Sequence, residues 1–252
     1  MQILFIAFNK HSLNFNTMLN SQKLQNTTIK YRRYFFEFLG SERYSRPYRR
    51  GVGKIIEKYL SQNGFFIEVG ANNGFSESNT YYLERFRNWQ GILIEPIPHL
   101  YQECVKERPK SKVFNCALVS QDFPEQEIEM MYGHLMSLVK GAFDDDKIES
   151  ERVAIAGRKL GFTPYAIKVP ARTLTSILDE VNIRKIDFFS LDVEGFELNA
   201  LQGLDFEKYR PEFMLVECLN EESFQEINSY ITDYYDLFER ASQVDYLFKS
   251  RE

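Results

Sequence analysis

The sequence predicts an α/β protein: a mostly parallel sheet with helices on both faces and an antiparallel hairpin at its C-terminal end. Three observations predict it. Short apolar runs from Phe65 onward alternate with stretches of helical spacing, the pattern of βα units around a parallel sheet. The runs lack polar alternation, as strands buried on both faces should. Two β-rich segments near the end, Tyr234–Arg240 and Val244–Lys249, are separated by only Ala241–Gln243, too short for a parallel crossover.

The elements follow in order. Residues 1–63 read as an N-terminal extension, with an apolar run Ile3–Phe8, a polar tract Asn14–Thr28, and an aromatic and basic stretch Tyr31–Phe38 entering helices. Arg43, Arg46, Arg49 and Arg50 then surround Pro47 and Tyr48, a local basic cluster suited either to phosphate or acidic sugar or to surface carboxylates. Residues 64–252 read as the main domain. Strands are predicted at Phe65–Val69, Ile92–Ile94, Val113–Val119, Ile186–Leu191 and Phe213–Val216, forming the centre of the sheet. Helices are predicted at Glu77–Phe86, Leu100–Glu107, Ser176–Asn182, Leu198–Leu204 and Ser223–Thr232. The long stretch 120–170, with acidic Asp144–Asp146 and a helix over Lys147–Leu160, is an insertion placed to form a substrate lid.

Composition narrows the function. The 252 residues are 44% hydrophobic and 15% aromatic, enough to bury a sizeable core. A net charge of −5 argues against broad nucleic-acid binding, which needs a clustered basic surface. Three widely spaced cysteines, Cys104, Cys116 and Cys218, indicate neither a disulfide framework nor a paired zinc site, and so predict a cytoplasmic protein. The run Ile3–Phe8 is too short to span a bilayer and lacks the flanks of an export signal; no transmembrane segment is expected.

The chemistry concentrates at strand ends. The strand Phe65–Val69 runs into Gly70-Ala71-Asn72-Asn73-Gly74 and then Ser76, where a helix is expected to aim backbone N–H groups at a ligand. The spacing is not the Gly-x-Gly-x-x-Gly of dinucleotide sites, which weakens a nicotinamide or flavin oxidoreductase without removing it. Glu68, inside this apolar strand, needs a donor: a ligand ammonium, backbone N–H groups, or a structural Lys or Arg. Glu95 and Pro96 end the next strand about 20 residues beyond the glycine turn, where a carboxylate can accept from ribose hydroxyls. Cys116 and Ala117 lie on the third run, beside a base or simply in the core. Asp192, Glu194 and Glu197 cluster at and past the end of Ile186–Leu191, the edge where ligands bind in such sheets.

Together, Glu68–Gly74, Ile94-Glu95-Pro96 and Leu191-Asp192-Val193-Glu194-Gly195-Phe196-Glu197 resemble the FkbM methyltransferases in order and approximate spacing, over roughly Gly64–Lys249. The resemblance implies a Rossmann-like class I methyltransferase sheet of seven strands, S-adenosylmethionine as cofactor, and methylation of an oxygen on a sugar, glycan or natural-product hydroxyl. It further implies that Glu68, Gly70, Ala71, Asn72, Gly74 and Ser76 surround the methionine part of the cofactor. Glu95, with Pro96 beside it, would take the ribose; Cys116 and Ala117 would lie near the adenine, and Asp192 near the sulfonium and acceptor. Tyr132–Leu138 resembles the family's region for substrate contacts. Hydroxyl methylation also needs a base, for which Asp192, Glu194, Glu217 and His134 are candidates. The three carboxylates are alternatively ligands for Mg²⁺. A noncatalytic binding module on the same fold remains the other alternative.

Overall fold

A computed structural model describes residues 27–48, 50–133, 136–142, 146–160 and 162–251; the run Ile3–Phe8, Arg49 and the candidate base His134 lie outside them. The chain divides into two compact units, residues 1–46 and 47–252. In the first, helix α1 covers 27–38. It stops at Gly40, whose left-handed φ of 76° lets Ser41 N donate back to Phe36 O at 2.8 Å.

The second unit opens with helix α2 (Arg50–Tyr59) and strand β1 (Phe65–Val69), followed by α3 (Tyr81–Phe86), β2 (Gln90–Ile94), α4 (Pro98–Glu107) and β3 (Lys112–Phe114). Then come β4 (Ala117–Leu118), β5 (Glu127–Tyr132), β6 (Leu138–Val139), α5 (Asp146–Leu160) and β7 (Tyr165–Arg172). The chain continues through α6 (Leu174–Val181), β8 (Phe188–Leu191), α7 (Glu197–Gln202), β9 (Phe213–Glu217), α8 (Glu221–Ile231), β10 (Tyr235–Arg240) and β11 (Asp245–Ser250). The main sheet has the order β10-β11-β9-β8-β1-β2-β3. Its five strands from β9 to β3 are parallel, while β11 runs antiparallel to β9 and to β10. This is the class I methyltransferase arrangement, with the C-terminal hairpin where the short turn required it.

Alternation along the central strands explains the two helical layers. Ile67, Val69, Ile92, Ile94, Phe189, Leu191, Met214 and Val216 face α6, α7 and α8 through Leu174, Ile177, Leu178, Ala200, Leu201, Ile227 and Ile231. Phe66, Leu93, Phe188, Leu215 and Leu247 face the other way, against Val52, Ile55 and Ile56 of α2, Leu83 of α3 and Cys104 of α4. Capping sets several helix limits. Thr173 accepts from Ser176 N at the start of α6, Asn182 ends it in the left-handed region, and Asn220 and Ser223 form a reciprocal box at α8.

Two elements differ from expectation. The run Val113–Val119 is not one central strand: it breaks at Asn115 into β3, an edge of the main sheet, and β4, which joins a second sheet. Asn115 makes the break by donating from Nδ2 to the carbonyls of Glu95 (2.9 Å) and Pro96 (2.8 Å). Likewise helix α3 begins at Tyr81 rather than near Ser76, because Glu77 adopts φ 57° and the residues after it are engaged elsewhere. The second sheet, of order β4-β7-β5-β6, takes its three strands β5, β6 and β7 from the 120–170 stretch and its border, around a small core of Ala117, Val119, Ile128, Met130, Val139, Val169 and Phe196.

Candidate functional site

The carboxyl ends of β1, β2 and β8 open into a cleft of about 320 Å³, within the size range of small-molecule sites. Gly70, Asn72, Ser76, Glu95, Pro96, Cys116, Ala117 and Asp192 all line it, as does Glu68. The second sheet closes one side with Met130 and Val139, joined by Met136 and Ser137 from the connection between β5 and β6.

The glycine corner is required by close approach. Gly70 has φ +82°, and a Cβ there would lie 1.9 Å from the Asp192 carbonyl oxygen, so the end of β1 and the turn after β8 meet backbone to backbone. Gly74, at φ +81°, is also tight, with the Arg108 stem 2.9 Å and Cys104 3.1 Å from where its Cβ would lie. Between them Ala71 is buried, and Asn72 is left-handed at φ 49°. The corner's N–H groups do not all face a ligand, contrary to expectation. Asn73 Oδ1 accepts from Phe75 N (3.1 Å) and Ser76 N (2.8 Å), and Asn79 N donates to Glu68 at 2.6 Å.

Glu68 finds its donors within the protein. Besides Asn79 N it accepts from Ser78 Oγ (2.8 Å), Thr80 Oγ1 (2.7 Å) and Arg108 Nη1 (3.3 Å). Arg108, 1% exposed, also donates to Glu84 (2.9 Å), the Gly74 carbonyl (3.2 Å), Ser78 Oγ and Thr80 Oγ1. Burial opposes its charge, but Glu84 and Glu68 outweigh that and hold its pKa above the ordinary value. Sequence reasoning overlooked Arg108. Its place just past the end of α4, before Pro109, is the only local cue, and it does not separate a buried arginine from a surface one.

Glu95 sits at the tip of β2, 4% exposed, with Oε2 accepting from Asn72 N (2.7 Å) and Oε1 from Ile97 N (2.8 Å). Burial pushes its pKa to about 7, against the pull of those two N–H groups. Beyond β8, Glu194 (φ 55°) and Gly195 (φ 104°) form a consecutive left-handed turn. Glu197 reaches back to accept from Val193 N (3.0 Å) and Gly195 N (3.1 Å), so it fixes this turn rather than facing the cleft. Its burial raises its pKa to about 7.

Asp192, Glu194 and Glu217 each offer a carboxylate oxygen, all within 4.8 Å of one another, a spacing that could also hold a metal ion. Asp192 is pushed well above the usual carboxylate range by burial and by the neighbouring charges of Glu217 and Glu194. Arg152 of α5 donates to Glu194 at 2.8 Å, tying the insertion's helix to this turn. In the region from Tyr132, Met136 and Ser137 reach the cleft, Ser137 Oγ accepting from Gly133 N at 3.0 Å.

A family profile, "Methyltransferase FkbM domain", matches residues 68–241. The chain belongs to the FkbM methyltransferase family. The FkbM match runs from Glu68 to Ala241, through the glycine corner, the β2 tip, the insertion and the Asp192 turn. It supports methyl transfer from S-adenosylmethionine. Among solved structures, the chain is similar to an FkbM methyltransferase from Methylobacillus flagellatus KT at 15% identity and TM-score 0.47, over 85% of this chain and 52% of that one. It therefore spans about half the length of that protein. Others are a TehB-like SAM-dependent methyltransferase from Corynebacterium glutamicum (11% identity, TM-score 0.41, 90% and 97% covered) and M. capricolum TrmK in complex with S-adenosylhomocysteine (8%, 0.40, 81% and 67%). No curated protein matches the chain.

The cleft of this FkbM protein suits the cofactor. The Gly70 corner lines the cleft with backbone, and Glu95 offers accepting oxygens at the strand tip. Ile94, Pro96, Ile97, Leu100, Cys116 and Leu118 supply an apolar wall. Among the described residues, no helix is long and apolar enough to cross a membrane.

Proposed function

We propose that the protein methylates a hydroxyl oxygen of a sugar, glycan or natural product. The observation that carries this reading is the acidic pair lining the cleft, Asp192 and Glu194: Asp192 stands beside the Gly70 corner, and its carboxyl is held high by burial and by the nearby charges of Glu217 and Glu194. S-adenosylmethionine, when bound, supplies a methyl group on a positively charged sulfur. Gly70, Ala71, Asn72, Gly74 and Ser76 would hold its methionine part, with Glu68 acting through the fixed corner. Glu95 would accept from the ribose, its oxygens keeping acceptor capacity beyond the two backbone donors. Cys116 and Ala117, with Pro96, would flank the adenine.

On the other side, Met130, Met136, Ser137 and Val139 would exclude water and orient the acceptor, making the 120–170 insertion a substrate lid. Asp192 would take the hydroxyl proton, with Glu217 and Glu194 raising its basicity. The same trio suits a divalent cation such as Mg²⁺ as a second reading, favoured only by the 4.8 Å spacing. Three buried free thiols fit a reducing compartment, so we place the protein in the cytoplasm.

The test is calorimetry with S-adenosylhomocysteine and with NAD, followed by mass spectrometry of hydroxylated glycans and metabolites incubated with labelled methyl donor. Asp192→Ala should keep S-adenosylhomocysteine affinity within a few-fold and slow transfer by roughly 10²–10⁴-fold, and EDTA should leave turnover unchanged. Binding of NAD instead, or label on nitrogen, would sink the proposal.

A further inference from the structure

Helix α1 turns its apolar residues outward. Tyr31, Phe35 and Phe38 stand at i, i+4 and i+7, within about 60° of one another around an α-helix. With Leu39 they are 67%, 59%, 85% and 60% exposed. Two of its four charged residues are turned in. Arg33 and Glu37 are 1% and 7% exposed and 3.8 Å apart, and Ser45 Oγ donates to Glu37 at 2.7 Å. A surface helix ordinarily turns its apolar stripe to the core, whereas here that stripe faces water.

The edges of the stripe are basic. Exposed Lys30 and Arg32 lie about 100° to either side of Tyr31. The Arg32 guanidinium lies over the Tyr44 ring at 4.2 Å, with exposed Arg43 also beside that ring. From Thr27 to Arg46 there are five Lys and Arg against two Glu, in a chain whose net charge is −5. An aromatic stripe rimmed on both sides by cations matches an anionic lipid surface, in which rings enter the headgroup layer while the cations reach phosphates. A second copy of the stripe would bring like charges together along both rims.

We propose that α1 is an interfacial anchor that seats the protein on an anionic membrane surface. The test uses the full chain in sedimentation with vesicles of phosphatidylcholine containing about one third phosphatidylglycerol. The protein should pellet with these vesicles and bind phosphatidylcholine alone at least about tenfold more weakly. Phe35→Ser/Phe38→Ser should lose binding by a similar factor with an unchanged thermal melt. Lys30→Gln/Arg32→Gln should weaken binding and flatten its salt dependence, and it decides the matter if the phenylalanine variant melts early. A full chain that stays in the supernatant overturns the proposal, as does binding that neither variant affects. So does a parent dimer that Phe35→Ser/Phe38→Ser dissociates without any vesicle binding, which would assign the stripe to a second copy.

Discussion

Replacing Arg108 by Met should be among the most damaging single changes in the protein. The methionine keeps much of the apolar stem but removes the donors to Glu68, Glu84, Gly74 O, Ser78 and Thr80. With all three charged side chains 1–6% exposed, Glu68 and Glu84 would be left as buried charges without a countercharge. Breaking a buried ion pair in this way costs about 3–5 kcal/mol. A domain of this size has roughly 5–15 kcal/mol in total, and loses roughly 2–4 °C of Tm per kcal/mol. The variant should therefore melt roughly 6–20 °C below the parent and have a lower urea midpoint. Because the same network holds the Gly74 carbonyl and the 78–80 turn, affinity for S-adenosylhomocysteine should fall as well. A urea-derived loss under about 1 kcal/mol at pH 8 would refute the view that Arg108 is the countercharge on which the corner rests.

Other perturbations probe separate parts of the site. Gly70→Ala forces a side chain into left-handed backbone and against the Asp192 carbonyl, so stability should drop by at least about 1–3 kcal/mol, and calorimetry should show no S-adenosylhomocysteine binding. The buried Glu95 and Glu197 have folded pKa values of about 7, above the ordinary 4.5, so the folded state binds more protons than the unfolded chain. Their contribution is fully present below about pH 4.5 and lost as pH rises through 7, on the order of 3 kcal/mol each at about 1.4 kcal/mol per pH unit. Urea titrations from pH 5 to 8 should show this slope, and Glu95→Gln should reduce it. Arg152→Gln breaks a partly exposed pair, so stability should change by less than about 1 kcal/mol. Hydrogen exchange over 146–160 should nevertheless accelerate.

The sequence showed most where burial is two-sided. Runs such as Phe65–Val69 and Phe213–Glu217 have no polar face, and their ends coincide with chemistry at Gly70 and Glu217. The hairpin was legible because a short turn leaves a strand pair no other geometry. The second sheet was harder to see. Glu127, Ile128, Glu129 and Met130 do alternate, and β5 buries every other one of these residues, but a period of two over so short a stretch is faint beside the acidic helix that follows. Val113–Val119 carried no warning of its division apart from Asn115, whose amide holds the β2 tip. Glu68 announced only that it needed donors. That the donors were Ser78, Thr80 and Arg108 depends on a loop that folds back across ten to forty positions of chain, which no local pattern records.

The parting of 112–118 between two sheets gives this enzyme a seam. Under the proposed function, changes confined to β5, β6 and β7 would reshape the acceptor side of the cleft and leave the carboxyl ends of β1, β2 and β8 in place. Cys116 sits on the seam itself, between β3 and β4, and lines the cleft. Directed evolution for new acceptors should therefore find its tolerant positions on the second sheet and its intolerant ones at residues 115–117.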